Sequence, residues 1–115
     1  MSNMRRTILA LLAGLAIGAL TTTDVALAED HLAEAISHTK EAIEHGKAGH
    51  AAVLVKHAQA GLTHAKAAEA EKDNVHTKEG ITHLDAAIEH GKQNHADVAT
   101  KHAEEALSHL QAAPK

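Results

Sequence analysis

The 115-residue sequence has no cysteine and no aromatic residue, and both of its methionines lie within the first four positions. Without cysteine the chain cannot form a disulfide or offer a thiolate to a metal ion. Without Phe, Tyr or Trp it has no ring for base stacking and no aromatic anchor for a membrane interface. The only proline is Pro114, so the strongest helix breaker is missing from most of the chain.

The first 28 residues have the pattern of a secretory signal peptide. Arg5 and Arg6 precede an apolar run over residues 8–20, and the sequence Val-Ala-Leu-Ala ends at Ala28. A basic start, a short apolar centre and small residues before the cleavage point are typical of such leaders. We therefore expect a signal peptide over 1–28 and a mature domain over 29–115. The alternative is an uncleaved membrane anchor, but the run is short for a span of about 20 residues.

The expected mature chain is acidic, with nine lysines against fourteen Asp and Glu, a net charge of −5 with histidine neutral. A basic surface for nucleic acid is therefore not expected. We expect a monomer with no nucleic-acid partner and, after cleavage, no membrane partner.

Histidine is the abundant residue, and its twelve copies follow a repeat. They occupy positions 31, 38, 45, 50, 57, 64, 76, 83, 90, 95, 102 and 109, and adding 45 to the first six numbers gives the last six. Residues 31–69 and 76–114 align with 20 identities in 39 positions, including all six histidines but only 14 of the other 33 positions. The sequence is therefore an internal duplication that has kept its histidines while other positions diverged.

Each half of the duplication predicts two helices, because Ala, Leu, Ile, Glu and Lys dominate. Gly46 and Gly91 are expected to end helices in left-handed backbone, with tight turns over 46–49 and 91–94. A more polar link over 69–75 joins the halves, and Asn74 or Asp73 is expected to cap the third helix. The predicted fold is all-α, an up-down-up-down four-helix bundle built from two duplicated helical hairpins.

The apolar residues fit a seven-residue pattern with positions a to g. Position a is predicted to hold large side chains, namely Ile36, Ile43, Val55, Leu62, Ile81, Ile88 and Leu107. Position d is predicted to hold Leu32, Ala51, Ala58, Leu84, Ala103 and Leu110. Every histidine then falls at position c. Because large side chains are few and alanines many, we expect a thin core of modest stability.

Histidines of one helix lie too far apart to share an ion, since seven residues rise by about 10.5 Å. Across an antiparallel hairpin, however, residues whose numbers sum to 95 in the first half, or to 185 in the second, lie at one level. The predicted levels pair His31 with His64, His38 with His57, His45 with His50, His76 with His109, His83 with His102, and His90 with His95. Position g between them holds mostly small residues, which lets the paired edges approach. All twelve histidines are therefore candidate metal ligands.

Carboxylates one turn from the histidines are weaker candidates, since glutamate on a helix is usually a solvated residue. They are Glu34, Glu41, Glu79 and Glu105 at position f, whereas Val53, Ala60 and Ala67 occupy that position in the second helix. Imidazole with carboxylate and no sulfur suits Cu(II), Ni(II) or Zn(II), and Cu(II) is the most tightly bound of these. The alternative is a set of solvated surface histidines copied by repeat expansion, which does not explain why all six histidines were retained.

The four His-x6-His-x6-His triplets and the two His-Gly-Lys turns resemble the small metal-binding protein (SmbP) family over residues 29–110. That resemblance implies an exported, histidine-rich four-helix bundle that binds copper and other divalent ions. It also implies a periplasmic role in metal buffering, storage or tolerance, with the twelve histidines as ligands. Other hypotheses are a pH-responsive helical interaction module and a periplasmic metallochaperone. An enzyme is not expected, because no nucleophile motif is present.

Overall fold

The computed structural model describes residues 29–115, which form four α-helices and no strand. They are α1 (His31–Lys47), α2 (Ala51–Glu71), α3 (Val75–Lys92) and α4 (Ala96–Ala112). Consecutive helices pack against each other, and α1 also packs against α4, which closes the bundle. The predicted four-helix bundle is confirmed, with α1 and α2 as hairpin 1 and α3 and α4 as hairpin 2. The predicted signal peptide lies outside the described residues.

No helix within residues 29–115 is long and apolar enough to cross a membrane.

Side chains that the sequence supplies cap two of the helices. The Asp30 carboxylate accepts a hydrogen bond from the backbone N–H of Ala33 at 3.0 Å, at the start of α1. The Asn74 side chain accepts from the N–H groups of His76 and Thr77 at the start of α3. Of the two predicted caps, Asn74 is therefore the one that forms. Asp73 instead pairs with Lys78 Nζ at 2.7 Å, and this hydrogen bond lowers the pKa of the Asp73 carboxyl.

The hairpin turns are Schellman motifs, in which the last helical carbonyls accept hydrogen bonds from the residues that follow. In hairpin 1 the N–H of Gly49 donates to Gly46 O and that of His50 to His45 O, at 3.0 and 2.9 Å. In hairpin 2 the N–H groups of residues 94 and 95 donate to residues 91 and 90 in the same way. This backbone motif fixes the five-residue gap between the two histidines at each turn.

The prediction that Gly46 and Gly91 end their helices in left-handed backbone is wrong. Both glycines are buried within helices, and the residues with positive φ are Gly49 (83°) and Asn94 (65°). A Cβ added at Gly46 would collide with the Thr100 side chain of α4, and one at Gly91 would lie 2.5 Å from Val55 Cγ2 of α2. These glycines therefore serve close packing between the hairpins, which local sequence does not reveal.

The core is narrower than predicted and is centred on different positions. Most residues at positions d and g are buried in each of the four helices, whereas several position-a residues, Ile36, Val55, Leu62, Ile81 and Leu107, are only partly buried. The fully buried large side chains include Leu54, Leu84 and Leu110, and alanine supplies most of the rest. Successive residues turn by about 100° around a helix, so a and c flank a d–g core on opposite sides. The histidines at c therefore lie directly beside the core.

Candidate metal centre

The histidines of each hairpin meet across the groove between its two helices, as predicted. Three of the six predicted pairs bring their Nδ1 atoms together: His31 and His64 at 3.0 Å, and the pairs His76–His109 and His83–His102 at 3.4 Å. The other three pairs, His38–His57, His45–His50 and His90–His95, have ring centroids 5.9, 6.0 and 6.3 Å apart. All six predicted pairs therefore face each other across their hairpins, but only three of them bring two ring nitrogens into contact.

Contacts between neighbouring levels were not predicted from the sequence. His38 stacks on His64, and His45 on His57, with centroids 5.7 and 5.3 Å apart and planes within 7° of parallel. Hairpin 2 repeats this arrangement with His83 on His109, at 5.6 Å, and His90 on His102, at 5.4 Å. The pairs of each hairpin thus join into one continuous row of six rings, which we call a histidine ladder.

Sequence spacing places residues at the same height but does not give the stagger of the rings. A helical side chain leans toward the N-terminus of its own helix, so rings on two antiparallel helices lean in opposite directions. His38 and His45 on α1 therefore each meet one partner at their own level and a second partner one level away, whereas His31 at the end of the row pairs with His64 of its own level. Ten of the twelve rings are half-buried, and only His50 and His95 at the turns are exposed.

The separations within the ladders match those of two ligands on one metal ion. Nitrogen binds Zn(II) at about 2.0–2.1 Å, so two adjacent ligands at an angle of about 90–110° lie roughly 2.8–3.4 Å apart. The three measured Nδ1–Nδ1 distances, 3.0 to 3.4 Å, fall within this range. The two atoms of each of these pairs share a hydrogen bond, for which one ring must donate and the other accept. An ion held by both nitrogens would take the place of that proton, and the two rings would turn so that both lone pairs point at the ion.

Two of the histidine pairs have a glutamate carboxylate close to both of their Nδ1 atoms. In hairpin 2, Glu105 Oε1 lies 3.2 Å from His83 Nδ1 and 3.3 Å from His102 Nδ1. In hairpin 1, Glu41 Oε1 lies 3.4 Å from His38 Nδ1 and 3.2 Å from His57 Nδ1. Both sets belong to the middle level of their ladder, and each forms a group of three ligand atoms suited to one metal ion.

Three further carboxylates lie beside histidines of the ladders. Glu34 groups with His38 and His64, and its repeat counterpart Glu79 groups with His83 and His109. Glu29 groups with His31 and His64, which the sequence analysis missed because Glu29 precedes the helix and lies outside the f stripe. Neither of the histidine pairs at the turns belongs to any such group within residues 29–115.

Two lysines of the described residues form ion pairs with acidic side chains. Lys47 pairs with Glu104 at 3.3 Å, and Lys78 pairs with Asp73 and Glu69. Within the described residues, the buried Nδ1 atoms of His38 and His90 make no hydrogen bond. A buried nitrogen without a partner is costly, and a bound cation would satisfy its lone pair.

A helical bundle with two rows of paired imidazoles defines a histidine-rich metal-binding protein. The small metal-binding protein family matches residues 5–113, nearly the whole chain, and the chain belongs to this family. No curated protein matches it individually. Membership implies that the chain binds metal, in agreement with the ligand groups in both hairpins.

Proposed function

We propose that this chain is an exported protein that buffers or stores divalent transition metals, with Cu(II) the preferred ion and the twelve histidines as ligands. The observation that carries the proposal is the distance between paired Nδ1 atoms, 3.0 to 3.4 Å, which suits two ligands of one ion. Preference for Cu(II) follows from the ligand set, since imidazole and carboxylate sites bind Cu(II) most tightly among the common divalent ions.

Repetition of the ligand groups favours capacity over catalysis. Six pairs of facing histidines line two grooves, whereas an enzyme concentrates its tuned groups at one centre. Ten of the rings are half-buried and two are exposed, so solvent reaches the ladders and ions can enter and leave without unfolding of the bundle. Such a surface is suited to binding and releasing metal ions rather than to catalysing a reaction.

Export to the periplasm is part of the proposal and rests on the sequence of residues 1–28. The family match begins at residue 5, so most of the predicted leader belongs to the pattern that the family shares. Mass spectrometry of protein purified from the periplasm tests this, and a mature N-terminus at Glu29 is expected. Intact Met1 in a membrane fraction would contradict it.

Titration of purified protein with Cu(II), Ni(II) and Zn(II) in competition tests the proposed function. Six pairs predict saturation near six Cu(II) ions per chain, three for each hairpin. A variant with all six histidines of hairpin 2 replaced by glutamine is the matched control and should keep about half of the capacity. Saturation at a single ion would favour delivery by a metallochaperone, and no binding would favour the pH-responsive module.

A further inference from the structure

The two carboxylates at the middle levels occupy equivalent positions on different helices. Three residues after the middle histidine of each helix stand, in order, Glu41, Ala60, Ala86 and Glu105. The repeat counterpart of Glu41 is Ala86, and that of Ala60 is Glu105. The duplication has thus diverged at both positions, yet each hairpin keeps one glutamate at its middle level.

The geometry shows why either helix can supply this glutamate. An antiparallel hairpin has a local two-fold axis through its middle level, which exchanges the two helices. A carboxylate three residues after the middle histidine therefore reaches the same pair of rings from either side. Glu41 does so from the first helix of hairpin 1, and Glu105 does so from the second helix of hairpin 2.

In hairpin 2 the three ligand atoms form a nearly equilateral triangle, with edges of 3.2, 3.3 and 3.4 Å. The centre of such a triangle lies roughly 1.9 Å from each corner, slightly less than the ~2.0–2.2 Å of metal bonds to nitrogen and oxygen. An ion bound to all three atoms would therefore sit just off their plane, with its remaining positions on the solvent side. This is the facial arrangement of two histidines and one carboxylate.

We propose, on the basis of the proposed function, that the middle level of each ladder is a facial site of two histidines and one glutamate and binds the first ion. The sites are His38, His57 and Glu41 in hairpin 1, and His83, His102 and Glu105 in hairpin 2. Two ions per chain then bind tightly, and the remaining histidine pairs bind ions only at higher metal concentration. A facial site leaves adjacent positions open for water, so it accepts five- and six-coordinate divalent ions besides Cu(II).

A second observation in hairpin 1 supports this assignment. The buried Nδ1 atom of His38 makes no hydrogen bond within the described residues, although Glu41 Oε1 lies 3.4 Å away. The carboxylate is thus near enough to share an ion with this nitrogen, while the geometry does not favour a direct hydrogen bond. The negative charge of Glu41 also offsets the charge of a bound cation, which a pair of neutral rings does not.

Titration with Co(II) tests the proposal, because the visible spectrum of Co(II) reports its coordination number. Wild-type protein should bind two Co(II) ions tightly, with the weak absorption of five- or six-coordinate ions. Glu41→Gln and Glu105→Gln should each lower the affinity for one of these ions by at least about tenfold. Loss of a residue that only hydrogen-bonds to a metal ligand already has an effect of this size. The double variant should retain only the weaker class.

Matched variants separate a ligand from a general charge effect. Glu44→Gln combined with Glu89→Gln removes the same charge from exposed positions that belong to no ligand group among the described residues, and should keep both tight ions. Glu105→Ala combined with Ala86→Glu moves the carboxylate to α3 and should restore the second tight ion. Far-UV circular dichroism of every variant checks that the bundle is folded.

The proposal is overturned if Glu41→Gln and Glu105→Gln titrate like wild type, or if the Glu44 and Glu89 variant loses the tight ions to the same extent. It is also overturned if all Co(II) ions bind in one class while Cu(II) still saturates near six, in which case the proposed function stands. Absence of binding of Cu(II) and Co(II) by folded wild-type protein would instead reject the proposed function.

Discussion

At the scale of single residues, ten of the twelve histidines combine a half-buried ring with an adjacent partner. The rings lie beside the core because position c borders the buried positions d and g, which hold small residues such as Ala35 and Ala42. A ligand whose ring is already positioned loses less conformational freedom when it binds an ion. The ladders are in this sense organised before any ion arrives.

Paired histidines should behave as one unit in mutagenesis. Because His83 and His102 have Nδ1 atoms 3.4 Å apart, His83→Ala and His102→Ala should each remove the same ion. The double variant should then lose little more, since the effects of residues in one network are not additive. The measurement is Cu(II) stoichiometry by calorimetric titration. Equal and additive losses would mean that the rings bind ions singly.

The buried glycines Gly46 and Gly61 differ in how much space is available for a side chain. A Cβ at Gly46 meets the side chains of Thr100 and Leu54, whereas one at Gly61 lies 3.1 Å from Thr39 Oγ1, a milder contact. Overpacking costs about 1–3 kcal/mol, against a gain of up to about 1 kcal/mol from the better helix former. We expect Gly46→Ala to lower the free energy of unfolding by about 1–2 kcal/mol, and Gly61→Ala to lower it less. Urea unfolding of both variants gives the comparison, and a stabilised Gly46→Ala would contradict it.

At the scale of elements, the helical hairpin is the working unit. Its Schellman turn sets the register of the two antiparallel helices. Because the histidines of both helices are spaced by seven residues, that register aligns them at three levels. The turn also places His50 and His95 as N-cap residues whose side chains make no capping hydrogen bond. Their rings are therefore free of a local structural role and available to the ladder.

The turn residue of hairpin 1 should tolerate asparagine better than alanine. Gly49 has a φ of 83°, a left-handed conformation that costs alanine about 1–2 kcal/mol. Asn94 occupies the equivalent position of hairpin 2 at a φ of 65°, which shows that asparagine fits this turn. Gly49→Ala should therefore lower the free energy of unfolding by about 1 kcal/mol, and Gly49→Asn by less. Thermal melts of the two variants provide the test, which fails if both lose equally.

At the scale of the whole molecule, the bundle has a thin core with few large side chains. Leu54, Leu84 and Leu110 are fully buried, but alanine fills most other core positions and contributes little apolar area. Buried threonines also occur, and Thr39 and Thr100 satisfy their hydroxyls by donating to carbonyls of their own helices at 2.7 Å. Ligation across each hairpin would add stability that this core does not supply.

Cu(II) should therefore raise the melting temperature at pH 7.5. An ion at a hundredfold excess over its Kd stabilises the folded state by about 2.7 kcal/mol per site, and 1 kcal/mol shifts the melting point of a small domain by roughly 4–8 °C. Binding to histidines of the unfolded chain reduces this gain. Circular dichroism melts with and without Cu(II) measure it.

The same gain should be lost at pH 5.0. Imidazole coordinates only in its neutral form, and free histidine titrates near pH ~6.5, so acidification removes the ligands. Melts at both pH values decide whether imidazole holds the ions. A shift of equal size at pH 5.0 would mean that carboxylates hold them without the rings.

Much of this architecture follows from the sequence alone. The seven-residue spacing and the short gap at each turn determine four helices, two hairpins and the level at which each histidine finds a partner. The spacing of the histidines gives their positions along each helix axis. Antiparallel pairing then gives the facing residue on the neighbouring helix, without any knowledge of side-chain packing. The duplication likewise predicts that hairpin 2 repeats hairpin 1.

Only the tertiary structure decides how far each helix is rotated and how the rings are staggered. Rotation places d and g, rather than a and d, at the centre and buries Gly46 against α4. Stagger brings His38 within reach of both His57 and His64, and it aims Glu41 at a pair of rings while Glu34 lies beside a different pair. These features depend on packing between helices distant in sequence, which a periodic pattern does not specify.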